Sequence, residues 1–339
     1  MKRKYLIFLF ALQANLSFSQ YLKGKVVDAL NLPLPGATVY YDGTTLSTLT
    51  NENGEFSILY DSKLSRPLVV SYIGYQTVFL QVYNNDKPLH VVLEVAMNTL
   101  KELVIKKDRF SRKEKMKVFK ERFLGATFFG KKAIIQNESD IEFEYDDKNF
   151  LLKAYSDKPL IILNPSLGYK ITYELVDFET SFSQLTLSLE SVRQSYYAGL
   201  SRYEQINNSP KSIKNREKAF QGSSVQFFRN LIKGVWGKNE FQLFEKGYLT
   251  NPSNHFSVTV EDDKYKVAIT KQKFDYKRLD NLIAVFALLY KKKQSQIQFN
   301  SEIIYVDYYG NNLSLREVSF SGNISFKCVG DMLPLNYGM

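Results

Sequence analysis

YLKGKVVDALNLPLPGATVYYDGTTLSTLTNENGEFSILY, residues 21–60, alternates short apolar runs with turn clusters too closely spaced for helices. Leu22 to Val27 alternates and is rich in β-branched residues, which suits a strand. Asn31 to Gly36 (N-L-P-L-P-G) is a turn cluster that forbids helix, and Ala37 to Tyr41 is the next strand. Thr48 to Thr50 and Glu55 to Tyr60 flank Asn51-Glu52-Asn53-Gly54, a hairpin signal with glycine where a positive φ is needed. Leu68 to Tyr72, Gln76 to Val82 and His90 to Val95 bring the count to about seven strands. Seven short strands in under a hundred residues imply a two-sheet sandwich.

Four motifs in this region follow one order: Gly24-Lys25-Val26-Val27-Asp28, Leu34-Pro35-Gly36-Ala37-Thr38-Val39, Thr50-Asn51-Glu52-Asn53-Gly54-Glu55-Phe56, and Val70-Ser71-Tyr72-Ile73-Gly74-Tyr75. Together they resemble the carboxypeptidase regulatory-like domain. The resemblance implies a seven-stranded transthyretin-like β-sandwich of the kind found at the N-terminus of Bacteroidetes outer-membrane receptors. It does not imply peptidase activity, because in the peptidases this sandwich is an accessory beside the zinc domain. The residues agree. The chain has two histidines, His90 and His255. His90 and Glu94 share a face of a predicted strand but lie roughly 13 Å apart at ~3.3 Å per residue. They cannot chelate one metal ion, and His90 reads as a half-buried strand residue. Leu100 to Ile105 resembles the segment that follows this sandwich in TonB-dependent receptors. The remainder of the chain, however, lacks the series of ten-residue lipid-facing strands a membrane barrel needs.

Before the sandwich, Lys2, Arg3 and Lys4 precede the apolar run Tyr5 to Leu12, and Ser17 and Ser19 stand at signal-peptidase spacing. Residues 1–19 therefore read as a secretory signal peptide, which places the chain in the periplasm or on the periplasmic face of an outer membrane. The apolar run Leu282 to Tyr290 is too short to cross a bilayer core of ~30 Å as a helix, so no membrane span is expected in the mature chain. The single Cys328 excludes an intramolecular disulfide and has no histidine neighbour to activate it. The predicted organisation is a signal peptide at 1–19, a regulatory-like sandwich at 20–97, a linker or edge strand at 98–110, and a β-rich α+β domain of 111–339 with a few helices. The fold class is mainly β.

The full chain carries a formal charge of +10. Residues 101 to 132 hold twelve basic and four acidic residues, a local excess of eight that exceeds the +7 left after signal-peptide removal. Met116, Phe119, Phe123 and Leu124 recur at helical spacing, so Ser111 to Leu124 reads as an amphipathic helix with one packed and one cationic face. Arg112, Lys113, Lys117 and Lys120 are the candidate contact residues. A solvated helix surface is the plain interpretation of such a face. The functional one is a contact for an acidic outer-membrane protein or complex, or for anionic lipid headgroups. Nucleic acid is not expected, because the leader exports the chain away from it.

Beyond Lys132 strands dominate. Ser139 to Asp146 alternates, with Ile141, Phe143 and Tyr145 on one face and Asp140, Glu142, Glu144 and Asp146 on the other. Such a face suits solvent, a cation, or a hydrolase with paired carboxylates, although a regular strand lacks the carbonyl ligands of calcium loops. Ser209-Pro210 starts a helix running to Phe220; Gly222 ends it, and Ser223 or Ser224 caps a second helix over Val225 to Lys233. Phe241 to Phe244, His255 to Val260, Tyr265 to Thr270, Gln296 to Tyr308 and Leu313 to Phe326 read as further strands. Tyr305, Asp307 and Tyr309 would then share a face able to stack on a sugar or to form ordinary cross-strand pairs. Leu151 to Tyr155, Lys158 to Asn164, Leu167 to Leu175, Ala219 to Ser224, Gln226 to Leu231 and Leu333 to Tyr337 are similar, in that order, to the uncharacterised C-terminal region of Bacteroidetes proteins that carry this regulatory-like domain. That resemblance brings no activity and no site residues. The expectation is a non-enzymatic exported binding or scaffolding protein, accessory to an outer-membrane assembly or transport complex, with no catalytic set, metal site or cofactor. A glycan-binding module and a hydrolase with an unrecognised carboxylate site are the alternatives.

Overall fold

The computed structural model describes residues 21–61, 63–64, 66–81, 87–96, 109–273, 282–314 and 316–339. The leader at 1–19 and most of the 98–110 linker lie outside them.

The first seven strands are β1 (Tyr21–Asp28), β2 (Thr38–Tyr41), β3 (Ser47–Leu49), β4 (Glu55–Leu59), β5 (Leu68–Ser71), β6 (Val78–Leu80) and β7 (Leu89–Leu93). They form two sheets, ordered β4-β1-β7 and β3-β2-β5-β6. Alternation sets the register: Leu22 and Val26 of β1 point inward, and Lys23 and Lys25 outward. Leu22, Val39, Ile58, Leu68, Val70, Val91 and Leu93 fill the space between the sheets. The turn before β4 is held by Asn51, whose Oδ1 accepts from the backbone N–H groups of Asn53 and Glu55. Gly54 has φ 74°, and a Cβ there would lie 2.4 Å from the Val26 carbonyl oxygen, so the position admits only glycine. His90 is on the exposed face of β7, which corrects the half-buried expectation: Val91 and Leu93 take the core positions.

The chain re-enters through α1 (Arg112–Phe123) and α2 (Phe128–Lys132) into a six-stranded sheet. Its strands are β8 (Ile134–Ile135), β9 (Glu142–Asp146), β10 (Leu151–Tyr155), β11 (Leu160–Asn164), β12 (Tyr169–Phe182) and β13 (Val192–Gln205). The β12–β13 ribbon, fourteen residues on each strand, is its spine. On the other side of β12, β11 pairs with its first half and β10 with its second, while β8 and β9 form the outer edges. Phe119 and Phe123 of α1 lie against Phe178, Tyr173 and Tyr197, with ring centroids 4.7–5.6 Å apart. Leu152, Ile162 and Ile171 complete this second core.

Ser209 caps α3 (Pro210–Phe220) and Ser223 caps α4 (Ser224–Lys233), which ends on left-handed Gly234. The remaining strands are β14 (Phe241–Glu245), β15 (Tyr248–Leu249), β16 (Phe256–Glu261), β17 (Lys264–Ile269), β18 (Ala284–Tyr290), β19 (Lys293–Phe299), β20 (Ile303–Asp307) and β21 (Val318–Gly322). They form a five-stranded sheet ordered β15-β14-β18-β19-β21 and a three-stranded sheet ordered β16-β17-β20. Phe227, Phe228 and Leu231 of α4 are buried in the third core, with Phe241, Phe286, Phe299 and Ile304. Two expectations are corrected here. Gln296 to Tyr308 is two strands, broken at 300–302, because β19 and β20 belong to different sheets. Leu313 to Phe326 contributes only β21 and a following 3-10 turn, because Gly322 leaves extended conformation at φ 76°.

The sandwich docks on the rest of the chain through residues 42–45, Asp61 and Arg66. Gly43 N–H donates to Ser201 O, Tyr203 N–H to Thr44 O, and Leu335 N–H to Gly43 O, so this loop is held between β13 and the C-terminal segment. Asp42 is buried, accepts from Ser201 N–H at 2.7 Å and pairs with Arg66. Asp307, fully buried at the end of β20, accepts from Asn311 N–H at 2.8 Å and sits in the field of Arg66 and Arg229. Arg229 of α4 donates to the carbonyls of Tyr309, Tyr337 and Leu335 at 2.7–2.9 Å. Tyr309 hydroxyl donates to Asp61 across the same junction. Burial pushes the Asp307 carboxyl up to about 6, against the pull of Asn311 and of the two guanidinium groups.

Two outcomes follow from this packing. Phe119→Ala removes a fully buried ring from an aromatic cluster, and denaturant unfolding should show a loss of about 3–5 kcal/mol. Asp307 is raised from 3.8 to about 6, so the folded state binds its proton more tightly than the unfolded state does. Its contribution is present below pH ~4 and is lost as pH rises through ~6, at up to about 1.4 kcal/mol per pH unit. The stability difference between the native chain and Asp307→Asn should therefore shift in favour of the variant across that window, as measured by denaturation at each pH.

Candidate functional site

Ser111 opens α1 with a reciprocal cap. Its hydroxyl oxygen accepts from Glu114 N–H, and Glu114 carboxylate accepts from Ser111 N–H at 2.9 Å and from its hydroxyl at 2.6 Å. These bonds hold the Glu114 carboxyl below the usual carboxylate range. The cap fixes which residues face the sheet: Met116, Val118, Phe119 and Phe123 turn inward, and Lys115 is buried with them. Arg112, Lys113, Lys117 and Lys120 are left on the outer side. α2 then folds back against the end of α1. A Cβ at Gly130 would lie 2.6 Å from the carbonyl oxygens of Leu124 and Gly125, so this close approach requires glycine.

Between these elements and the start of the sheet lies an open groove of about 950 Å³. All four predicted contact residues line it, together with Lys131 of α2. Met116, Leu124 and Ala133 give it an apolar floor, and Ile134, 54% exposed, an apolar rim. The structure divides the four cations into two kinds. Arg112 donates to Ile141 O and Glu138 O, both at 2.7 Å, and lies over the Phe143 ring. Lys120 pairs with Glu138 at 2.5 Å. These two brace the wall of the groove. The side chains of Lys113, Lys117 and Lys131 are exposed and make no ion pair or hydrogen bond among the described residues. Lys113 and Lys117 are four residues apart on one helix face, where like charges repel by a few tenths of a kcal/mol. Burying apolar surface does not require that arrangement. Chemically it offers three mobile ammonium groups above an apolar floor, suited to carboxylate or phosphate groups on a partially apolar partner. Sequence counting included Lys131 in the basic segment but did not single it out, because only the turn at Gly125–Thr127 brings it opposite α1.

The other candidates are dispersed. Asp140 is in a 3-10 turn rather than on the strand, which begins at Glu142; it accepts from Asn137, and Lys158 is 3.4 Å away. Those contacts hold the Asp140 carboxyl low, with the Asn137 bond the main cause. Glu142 and Glu144 are exposed on the edge strand β9, and Glu144 accepts from the Tyr155 hydroxyl. Tyr305 and Tyr309 do not share a strand face. Tyr305 is half-buried with Lys264 over its ring, whereas Tyr309 follows the strand in a turn and is buried at the sandwich junction beside Asp307. Cys328 is buried, and burial pushes its thiol up to about 12. His255 is buried and hydrogen-bonded to Thr250 at 2.7 Å. Among the described residues no three His, Cys, Asp or Glu side chains are gathered in a way that could hold a metal ion, and no helix is long and apolar enough to cross a membrane.

The division of the basic face is testable by stability alone. Arg112→Ala leaves two carbonyls without their charged donor and should cost about 1–3 kcal/mol in denaturant unfolding. Lys113→Ala and Lys117→Ala should each stay within about 0.5 kcal/mol of the native chain.

Comparison with known proteins bears on the sandwich. No curated protein matches the chain. Among solved structures, it is similar to a type II cohesin–X-dockerin complex (Coh3ScaB-XDoc_M1ScaA) from Acetivibrio cellulolyticus, at 22% identity and a TM-score of 0.19 over 22% of this chain and 58% of that one. It is also similar to a 9R-lipoxygenase from Cyanothece PCC8801, at 12% identity and a TM-score of 0.17 over 65% of this chain and 49% of that one. Neither superposition carries a structural or functional argument. Residues 22–105 match the family model of the CarboxypepD_reg-like domain, with the strand order and turns described above. The N-terminal β-sandwich is therefore a CarboxypepD_reg-like domain.

Proposed function

We propose that this chain is an exported, non-enzymatic binding or scaffolding protein that docks an acidic partner, an outer-membrane protein or complex met on its periplasmic side, through the groove between α1 and α2. The observation that carries this reading is the set of unpaired cations Lys113, Lys117 and Lys131 over the apolar floor of Met116, Leu124 and Ala133. An exposed cation gains little from intramolecular pairing. Three of them around one concave surface favour an incoming anionic partner and speed its encounter. The leader-like residues 1–19 support export. The CarboxypepD_reg-like sandwich supports an accessory role, since it adds a module tied by hydrogen bonds to β13 and the C-terminal segment.

The test is purification of a C-terminally tagged chain from the membrane fraction, beside a Lys113→Glu/Lys117→Glu/Lys131→Glu variant. The expected result is a stoichiometric outer-membrane protein that co-purifies with the native chain, dissociates as salt rises, and is lost from the triple variant while its melting temperature is unchanged. A native chain recovered alone from the soluble periplasm, or a partner retained by the triple variant, would overturn the proposal.

A further inference from the structure

A second cleft, of about 320 Å³, opens at the Tyr169–Gln205 end of the β12–β13 ribbon, where four parts of the chain meet. Thr45 comes from the sandwich, Gln205 from the ribbon with Asn208 just after it, Arg216 from α3, and Asn336 and Tyr337 from the C-terminal segment. Its volume is at the lower end of the ~300–1,000 Å³ of ligand pockets.

The buried Arg216 organises the cleft without offering it a donor. Nε donates to Leu167 O, one terminal nitrogen to Gln205 Oε1 and Asn208 Oδ1, and the other to Asn207 O and Gly168 O. All five guanidinium N–H groups are thereby engaged, and the plane lies 4.2 Å from the Tyr169 ring centroid. Because Gln205 and Asn208 each turn their carbonyl oxygen to the guanidinium, their NH₂ groups are fixed as outward donors. Both residues are exposed. Thr45 Oγ1 accepts from Asn336 Nδ2 at 2.9 Å, which leaves its own proton to donate. Tyr337 adds a hydroxyl, protonated at neutral pH as any tyrosine is, and burial pushes its titration further up. The cleft is thus rich in neutral donors; its aromatic surface is the half-buried Tyr337 ring, since Tyr169 is buried under Arg216, and its lining holds no charged side chain other than the engaged Arg216.

We propose that this cleft binds a neutral saccharide ring: its hydroxyl and ring oxygens accept from Gln205, Asn208 and Thr45, and a C–H face rests on the Tyr337 ring. This site is independent of the α1–α2 groove. Because Thr45 belongs to the sandwich and the other walls do not, the ligand would also fasten the two together and raise the melting temperature in proportion to its occupancy.

The experiment uses the full chain and ligand-observed NMR, with calorimetry for any hit, against cellobiose, maltose, mannobiose and N,N′-diacetylchitobiose, with sialyllactose as the acidic arm. The expected result is saturable binding of at least one neutral disaccharide, weakened at least tenfold by Asn208→Ala and by Tyr337→Ala. Ile213→Trp should abolish it: this rim position is 42% exposed, so a larger side chain fills the cleft without disturbing a core. Tyr305→Ala, remote from the cleft, should leave it unchanged. Absence of binding by every neutral sugar at 10 mM (roughly the weak limit of specific recognition), preference for sialyllactose, or a hit that survives Ile213→Trp would overturn the proposal.

Discussion

Asp42, Arg66, Asp307 and Arg229 place four ionisable groups in the junction between the sandwich and the remainder of the chain, and most other features depend on how that junction is satisfied. Taking such groups out of water costs several kcal/mol each unless partners are supplied in good geometry. Asp42 draws on Ser201 N–H of β13 and Arg229 on three carbonyls of 309, 335 and 337, all from separate parts of the chain, whereas Asp307 accepts locally from Asn311 N–H. Hydrophobic contact alone would let the sandwich slide. A buried charge that loses its partner on a small displacement does not. The junction therefore acts less as a source of stability than as a constraint on orientation. The contact is also tight sterically, since a Cβ at Gly43 would lie 2.8 Å from Leu335 Cδ1.

The C-terminal segment carries this constraint to the groove. Thr127, the N-cap of α2, donates its hydroxyl to Asp331, and Gly330 N–H donates to Leu124 O at the end of α1. Asn164 Nδ2 holds Gly330 O at 2.6 Å from the sheet. Lys327 donates to the carbonyls of 218, 219 and 221 and so closes the end of α3. Burial pushes the Asp331 carboxyl up to about 6 and the Lys327 ammonium down to about 8. A strap of a dozen residues thus ties α1 and α2 to α3, and continues past Leu335 into the junction with the sandwich. The groove is built on short helices, yet its walls are fixed by polar contacts distant in sequence. That is what a preformed binding surface requires.

Much of this was legible from residue order. The sandwich followed from strand alternation and from Asn51–Gly54, because those signals are local and each strand's inner face is written into its own residues. The Ser209 and Ser223 caps and the inward residues of α1 were legible for the same reason. The basic face was legible as a count of charges. Its division was not, because whether Arg112 and Lys120 are braced depends on Glu138 and Ile141, which only folding brings beside them. The misreadings share this origin: Gln296 to Tyr308 looks continuous because both strands are apolar-alternating, and no local signal tells that their neighbours lie in different sheets.

Composition and periodicity by themselves thus determined the mainly β class, the N-terminal sandwich, the capped helices and the presence of a cationic helix surface, since each is an interaction among residues close in sequence. Tertiary structure alone decided which cations remain unpaired, that Tyr309 is buried against Asp61 instead of exposed beside Tyr305, and that Arg216 turns two amides outward into a cleft. In each case the deciding partner is brought in by the fold from another segment, and the energy of a polar side chain is set by its partner and its burial rather than by its own identity.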